Sequence, residues 1–472
     1  MAKKLERIVP REEDFAAWYT SIVSNAKLCM YSNIKGMMYY LPNAWSIWES
    51  IRRVIDEMFA TVGVKNLALP TLIPLADFKK EKDHIEGFMP ELFTINQIGQ
   101  RKLDLPYCLR PTSEILFCDY FKNIVSSYND LPVINNQWCS VFRAEKTTKP
   151  FLRNSEFHWQ ELHAIFNQQN EALKYTITIL DIYQKFFEDY LLIPVIKGVK
   201  TPWERFAGAV ETYTLEALMQ DGQALQSATS HYLGTFFSKA YDIKFQTREN
   251  TFDYVHQMSA GLSTRIIGAL IMVHADDKGL VLPPKIAPVQ IAILTIFPNK
   301  NSDLIDAAKK IGMLLNSYRV SYDHSDKGIG YKLSEQEING TPISIVIGKN
   351  EILNNKVLLV RRDTGLKKEV TIDQLEKEIE LTFLSISQNI YEKAKKHQTA
   401  SIVHVNSLDE MKEAIQNKKM AACFFDGTEL DDKRIKEYTN ASSRCIFDTS
   451  KTGKCIVTGK ETNKYTLFAR AY

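Results

Sequence analysis

Several charged and polar side chains interrupt segments whose neighbours are apolar, and these are the places where the chain could do chemistry. Arg143 stands in Val141-Phe-Arg-Ala-Glu145, where the period-two spacing of a strand would turn Arg143 and Glu145 to one face. Thr112 and Glu114 lie in Leu109-Arg-Pro-Thr-Ser-Glu-Ile115, between apolar flanks. In Phe157-His-Trp-Gln-Glu161 the aromatic side chains alternate, and Glu161 and His163 continue the same face. Arg265 breaks the apolar run from Leu262 to Ile271. Any one of these charges reads first as half of a buried ion pair. Several in one region would each cost several kcal/mol to bury without a ligand, so a substrate carrying both anionic and cationic groups explains them better. A planar, permanently charged guanidinium suits the binding of phosphate and carboxylate.

Other chemistries lack motifs. The sequence has no G-x-x-x-x-G-K-[ST] loop, no G-x-G-x-x-G after a strand, no H-E-x-x-H and no G-x-S-x-G. Its 472 residues are 45% hydrophobic and 24% charged, ordinary values for a folded protein with a sizeable core, and enough for roughly two to four domains. The 59 Lys plus Arg against 56 Asp plus Glu leave +3, which neither demands nor excludes a nucleic acid. Seven scattered cysteines fit a reducing compartment rather than a disulfide framework. The charged start, Met1 to Arg11, does not resemble a signal peptide, and apolar runs such as Val289 to Phe297 fall short of the about 20 residues a membrane span needs. A soluble, cytoplasmic protein with no membrane partner is expected.

The elements that must position the candidate residues follow from periodicity. Asn43 to Val62 reads as an amphipathic helix with Gly63 placed to stop it. Asn66 to Ile73 reads as a strand confined to an edge by Pro70. Leu131 to Phe166 predicts antiparallel strands joined by the polar stretch Glu145 to Lys149, followed by a helix over Glu171 to Tyr190. Gly208 to Phe237 mixes strand and turn signals, and Gly261 to Val273 predicts a buried strand running into a helix. Pro283, Pro284 and Pro288 mark a domain boundary. Beyond it, strands at Val289 to Phe297, Tyr318 to Tyr322, Pro342 to Ile347 and Lys356 to Arg361 alternate with a helix over Asp303 to Leu315, capped by Ser302. That alternation predicts an α/β domain with a mixed sheet. A charged helix, Gln374 to Gln398, leads into a third domain.

These residues also carry a resemblance. Arg143-x-Glu145, a polar loop and Arg153-Asn-Ser-Glu-Phe157 resemble motif 2 of the class II aminoacyl-tRNA synthetases. Gly261-Leu-Ser-Thr-Arg265 resembles their motif 3, and Lys65-Asn-x(3)-Pro70 resembles motif 1, the dimer-forming element. Arg110-Pro-Thr-Ser-Glu114, Lys82-Asp-His-Ile-Glu-Gly-Phe88, Phe157-x-Trp-Gln-Glu161, Thr229-Ser-His-Tyr-Leu-Gly234 and the terminal Ala-Tyr472 narrow the likeness. Together they resemble the prolyl-tRNA synthetases of the archaeal and eukaryote-like type with a C-terminal extension, from about Arg11 to Tyr472.

The resemblance implies a fold and a set of roles. The fold would be an α+β catalytic domain with an antiparallel sheet over residues 1–285, an α/β anticodon-binding domain over 286–385 and a small α/β C-terminal domain over 386–472. The reaction would be ATP-dependent ligation of L-proline to tRNA(Pro) through a prolyl-adenylate, by a homodimer. Arg143 would bridge the α-phosphate and the substrate carboxylate, and Arg265 would meet the γ-phosphate end. Glu145, Arg153, Asn154, Phe157, Gln226, Thr229 and Ser263 would hold ATP, with Gln226 near Mg²⁺. Thr112, Glu114 and His231 would surround proline, with Glu114 answering its ammonium, while Trp159, Glu161, His163 and Phe206 would shape the ring pocket. Glu337, within Tyr331-Lys-Leu-Ser-Glu-Gln-Glu337, would read a guanine edge of the anticodon. Asn154 departs from the Arg-Thr pair usual in the motif 2 loop, which puts that one contact in doubt. The family's C-terminal carboxylate reaches toward the catalytic domain. Relatives often hold zinc on four cysteines, but Cys455-Ile-Val-Thr458 keeps half of one pair and Phe425 and Leu430 fall near the other, so no zinc is expected. The alternatives are a class II synthetase for another small amino acid and a paralogue that has lost catalysis.

Overall fold

The computed structural model describes residues 8–78 and 92–472; the Lys82 to Phe88 motif lies outside them. Its centre is an antiparallel sheet built by the strands Val195–Val199, Glu211–Leu218, Ala224–Gly234, His256–Ser263, Glu156–Phe166 and Val133–Phe142, in that spatial order. Lys65–Asn66 closes one edge, parallel to Val133–Phe142. One face of the sheet is covered by apolar helical stripes. Helix Gln169–Asp189 buries Ala172, Ile179, Leu180, Tyr183, Phe186 and Phe187, a 3.6-residue pattern that puts them on one side. Helices Pro42–Ala60 and Arg265–His274 bury their own apolar residues in the same core. The opposite face carries the polar side chains described below.

At the other edge the sheet does not stop. Ser442–Asp448 joins Val195–Val199 antiparallel, with Ile446 opposite Val199, and leads on to Tyr465–Ala469, Met420–Phe424 and Ile402–His404. Gly198 permits the junction: a Cβ there would lie 2.6 Å from the Ile446 carbonyl oxygen and 2.7 Å from Cys445 Sγ.

A separate five-stranded mixed sheet forms over Ile291–Thr295, Val320–Asp323, Ile343–Ile347, Lys356–Arg361 and Lys367–Thr371. Its first three strands are parallel and the rest antiparallel, which gives the expected mixed sheet; Lys367–Thr371 is an addition, too polar to stand out in the sequence. Helix Leu375–Ser401 then runs 27 residues across position 385 toward the last segment.

Three local expectations are corrected. Leu67 to Thr71 is not strand: only Lys65–Asn66 and Leu72–Pro74 pair, and the Leu69 and Pro70 carbonyls instead accept from Arg110 at 2.9 and 3.1 Å. Strand Val133–Phe142 ends before Arg143, so period-two alternation does not govern Arg143 and Glu145. Ser302 occupies the cap position of Asp303–Leu314 without a side-chain cap bond. The arginine in Arg110-Pro-Thr-Ser-Glu114 is a structural tie, also donating 3.0 Å to the Ser140 carbonyl.

Candidate active site

Adjacent antiparallel strands deliver alternate side chains to one face, and here that face is polar. A cavity of about 270 Å³ opens on it, lined by Thr112, Glu114, Arg143, Phe157, Trp159, Glu161, His163, Phe206, Gln226, Thr229, His231, Ser263 and Arg265. Phe157, Trp159, Glu161 and His163 come from one strand at every second position. Glu145, Arg153 and Asn154 do not line this cavity; they sit in the connection between strands Val133–Phe142 and Glu156–Phe166.

The buried carboxylates of this cavity are tightly bonded. Glu161 is 3% exposed and accepts from Gln137 Nε2 at 2.6 Å, with His163 Nε2 at 3.5 Å from its other oxygen. Burial alone would raise this carboxyl, but His163, with Ser113 and Gln137, holds it below the usual carboxylate range. His163 is itself stacked on Phe117, ring centroids 4.0 Å apart. Thr112 donates its hydroxyl to the buried Glu114. His231 Nδ1 lies 3.0 Å from Thr212 Oγ1, and its ring is 4.8 Å from that of Phe206. Lost hydration pushes the His231 imidazole down to about 3, so at neutral pH it is a neutral hydrogen-bonding group.

Arg143 and Arg265 line the same cavity. Arg143 Nε donates 3.0 Å to the Pro111 carbonyl, and its guanidinium carbon lies 5.4 Å from the Phe157 ring and 5.5 Å from the Trp159 ring. These contacts fix the guanidinium in place. Arg265 Nε donates 3.2 Å to the Leu152 carbonyl. Its pKa is depressed to about 10, by burial first and then by Arg143 and Arg153. Arg265 therefore carries its charge in a buried place beside two other guanidinium groups, an arrangement that an anion relieves. Glu145 offsets part of this charge, 3.9 Å from Arg153 Nε. Asn154 is 3% exposed, and neither atom of its amide has a hydrogen-bond partner.

Local sequence reasoning missed Glu204, Arg205, Thr212 and Ser259, which also line the cavity. Thr212 had a signal: Thr212, Thr214 and Glu216 alternate as buried polar residues along one strand. The tail was legible. Tyr472 N donates 3.2 Å to the Ala224 carbonyl, its hydroxyl donates to Asp221, and Lys149 Nζ sits 4.9 Å from both the Tyr472 and Tyr19 rings. Lys149 belongs to the same connection as Arg153, so the tail packs against that connection.

Glu337 lies apart, on helix Ile329–Asn339. Its carboxylate meets Lys278 Nζ at 3.0 Å, and it lines a second cavity with Thr341, Arg361, Arg362 and Lys367. Among the described residues no group of three or more His, Cys, Asp or Glu could hold a metal ion, and no helix is long and apolar enough to cross a membrane. Cys455 Sγ accepts instead from the backbone N–H of Asp426 at 3.3 Å and of Thr458 at 3.5 Å.

Three family profiles match in sequence order: "tRNA synthetase class II core domain (G, H, P, S and T)" over residues 93–274, "Anticodon binding domain" over 290–381, and "Prolyl-tRNA synthetase, C-terminal" over 408–472. Among curated proteins, the "Proline--tRNA ligase" of Ureaplasma urealyticum is 66% identical over 472 residues, covering all of both chains. That of Mycoplasma mobile is 46% identical over all of this chain and 99% of its own. The "Proline--tRNA ligase 2" of Bacillus thuringiensis is 46% identical, again over the whole of both.

Proposed function

The chain belongs to the prolyl-tRNA synthetases, and from that premise we propose how its residues divide the work. The reaction is ATP-dependent ligation of L-proline to tRNA(Pro) through a prolyl-adenylate. Neither another small amino acid nor loss of catalysis has support. In the first step the proline carboxylate attacks the α-phosphate and pyrophosphate leaves, so two anions must be held together while negative charge grows between them. Positioning and fixed charge can accomplish this without an enzyme nucleophile.

On this reading Arg143 sits between the carboxylate and the α-phosphate, and Arg265 takes the far end of the triphosphate. Phe157 offers its ring to adenine, while Gln226, Thr229 and Ser263 bond the nucleotide; Glu145, Arg153 and Asn154 close over it from the motif 2 connection. Glu114, primed by Thr112, receives the proline ammonium. His231 bonds the bound amino acid, and Trp159, Glu161, His163 and Phe206 bound a space suited to a compact ring. The observation that carries this is one cavity that brings together Arg143, Arg265 and the two buried carboxylates Glu114 and Glu161, with the Arg265 guanidinium pushed down by burial and then by its cationic neighbours.

Mg²⁺ would arrive on ATP. Gln226 brings a neutral oxygen to the cavity, a donor that fits a metal bound chiefly by phosphates; the metal would neutralise charge on the leaving pyrophosphate. We assign no zinc to the third domain. Residues 1–285 carry activation, 286–385 meet the anticodon through Glu337, and 386–472 support the catalytic sheet. The protein works in the cytoplasm as a homodimer built on helix Pro42–Ala60 and the edge strand Lys65–Asn66, for which light scattering should return twice the chain mass.

Titration with a non-hydrolysable prolyl-adenylate analogue tests the site. Arg143→Ala and Glu114→Gln should each weaken binding roughly tenfold or more, while Glu337→Ala leaves it unchanged. Unaltered affinity in the first two variants would refute the assignment.

A further inference from the structure

The wall of the cavity formed by Glu204, Arg205 and Phe206 is held from a distant part of the chain. Trp203 Nε1 donates 2.6 Å to Asp432 Oδ2, and its ring meets Phe425 edge-on with centroids 6.2 Å apart. Asp432 lies on helix Glu429–Thr439 of the third domain and is 4% exposed. The carboxylate also accepts from Ser443 N at 3.0 Å and Ser443 Oγ at 2.7 Å.

The same segment is tied on both sides of Trp203. Before it, Thr201 Oγ1 lies 3.3 Å from Ser443 Oγ, and the buried Lys200 donates 2.8 Å to Glu216. The other oxygen of Glu216 accepts from Arg444 Nε at 3.2 Å and Nη2 at 3.0 Å. Burial would raise the Glu216 carboxyl, but Lys200 and Arg444 hold it down. After it, Phe206 N donates 3.0 Å to Thr212 Oγ1, the hydroxyl that meets His231.

A buried carboxylate is costly unless its oxygens are bonded. Asp432 takes two of its bonds from its own domain and one from the cavity wall. Apolar packing between Trp203 and Phe425 would keep the two domains together, but a directional, charge-assisted bond also fixes the rotation of the indole and hence the place of Phe206, three residues on. We propose that Asp432 is a positioning residue for the amino-acid pocket, acting through Trp203 on the wall that ends in Phe206. This rests on the reading of that cavity as the proline site.

Proline-dependent pyrophosphate exchange by the full-length protein tests it. Trp203→Phe removes the indole N–H and keeps a ring against Phe425. A bond to a charged acceptor is worth enough to raise the KM for proline about tenfold, with the KM for ATP held within about twofold. Asp432→Asn, of the same size but with one acceptor fewer, should give the same split. Thr439→Ala loosens the same helix at its far end, where Thr439 Oγ1 donates 2.7 Å to Ile435 O and accepts from Ala441 N at 3.1 Å; it should lower the melting temperature and leave both KM values alone. Equal shifts for proline and ATP, no shift for proline, or a proline-selective shift in Thr439→Ala would each overturn the proposal. Failure of the unaltered protein to exchange with proline would instead overturn the reading of the cavity.

Discussion

Arg143→Ala should remove most of the activation step while leaving the fold intact. The guanidinium is fixed by the 3.0 Å bond to Pro111 O and by the Phe157 and Trp159 ring faces at 5.4 and 5.5 Å. Its charge therefore needs no rearrangement when the reaction begins. Loss of one preorganised group of this kind costs about 10²–10³ in rate, or roughly 3–4 kcal/mol. The lysine variant separates charge from placement. Arg143→Lys keeps the cation but loses the Nε–H bond, worth about 1 kcal/mol, and part of two ring contacts, each about 0.5–1 kcal/mol. An intermediate loss of roughly 10- to 50-fold follows from about 1.4–2.3 kcal/mol. Stability should fall only modestly, because the lost bond to Pro111 O and ring contacts are partly offset by relief of the repulsion that Arg143 exerts on Arg265. Pyrophosphate exchange and thermal unfolding on the same samples decide the matter. Near-normal exchange in Arg143→Ala, or activity loss that tracks a lowered melting temperature, would refute the reasoning.

Deleting Tyr472 removes the bond to Ala224, the bond to Asp221 and the ring beneath Lys149; exchange should fall about tenfold as the motif 2 connection loosens, and full activity would show the tail to be passive. Glu337→Ala should raise the KM for tRNA by roughly 10- to 100-fold, the worth of one base contact, without touching proline-dependent exchange; a parallel loss in exchange would contradict an anticodon role. Acid should destabilise the protein through His274, buried with Nε2 2.8 Å from Leu191 O and held by burial at about 4. The unfolded chain protonates this group near 6.5, so its neutral form contributes fully well above that pH, loses about 1.6 kcal/mol of its contribution between pH 6.5 and 5, and goes on losing it down to about pH 4. In urea unfolding His274→Gln should flatten that slope, and identical slopes would exclude His274 as the cause.

What could be read in the sequence was what one element carries by itself. Phe157, Trp159, Glu161 and His163 occupy alternate positions of a single strand, so period-two spacing predicted that they share a face, and they share the cavity. Helix Gln169–Asp189 and the mixed sheet followed likewise from periodicity. Arg143 was found by its residue type and by resemblance, yet the reason given from strand spacing fails, because its strand ends at Phe142. Glu204 and Arg205 had no local signal: their place depends on Trp203 meeting Asp432, 229 residues away. The continuity of the two sheets was equally hidden, since it rests on Gly198 admitting the Ile446 backbone. Contacts between distant segments leave no period in the sequence.

A cavity so built should activate proline and no other amino acid comparably. Pyrophosphate exchange by the purified protein, run with ATP and each protein amino acid in turn, measures it directly. Exchange should be greatest with proline by kcat/KM and should collapse in Arg143→Ala. Greater exchange with another amino acid, or none with proline, would contradict the account.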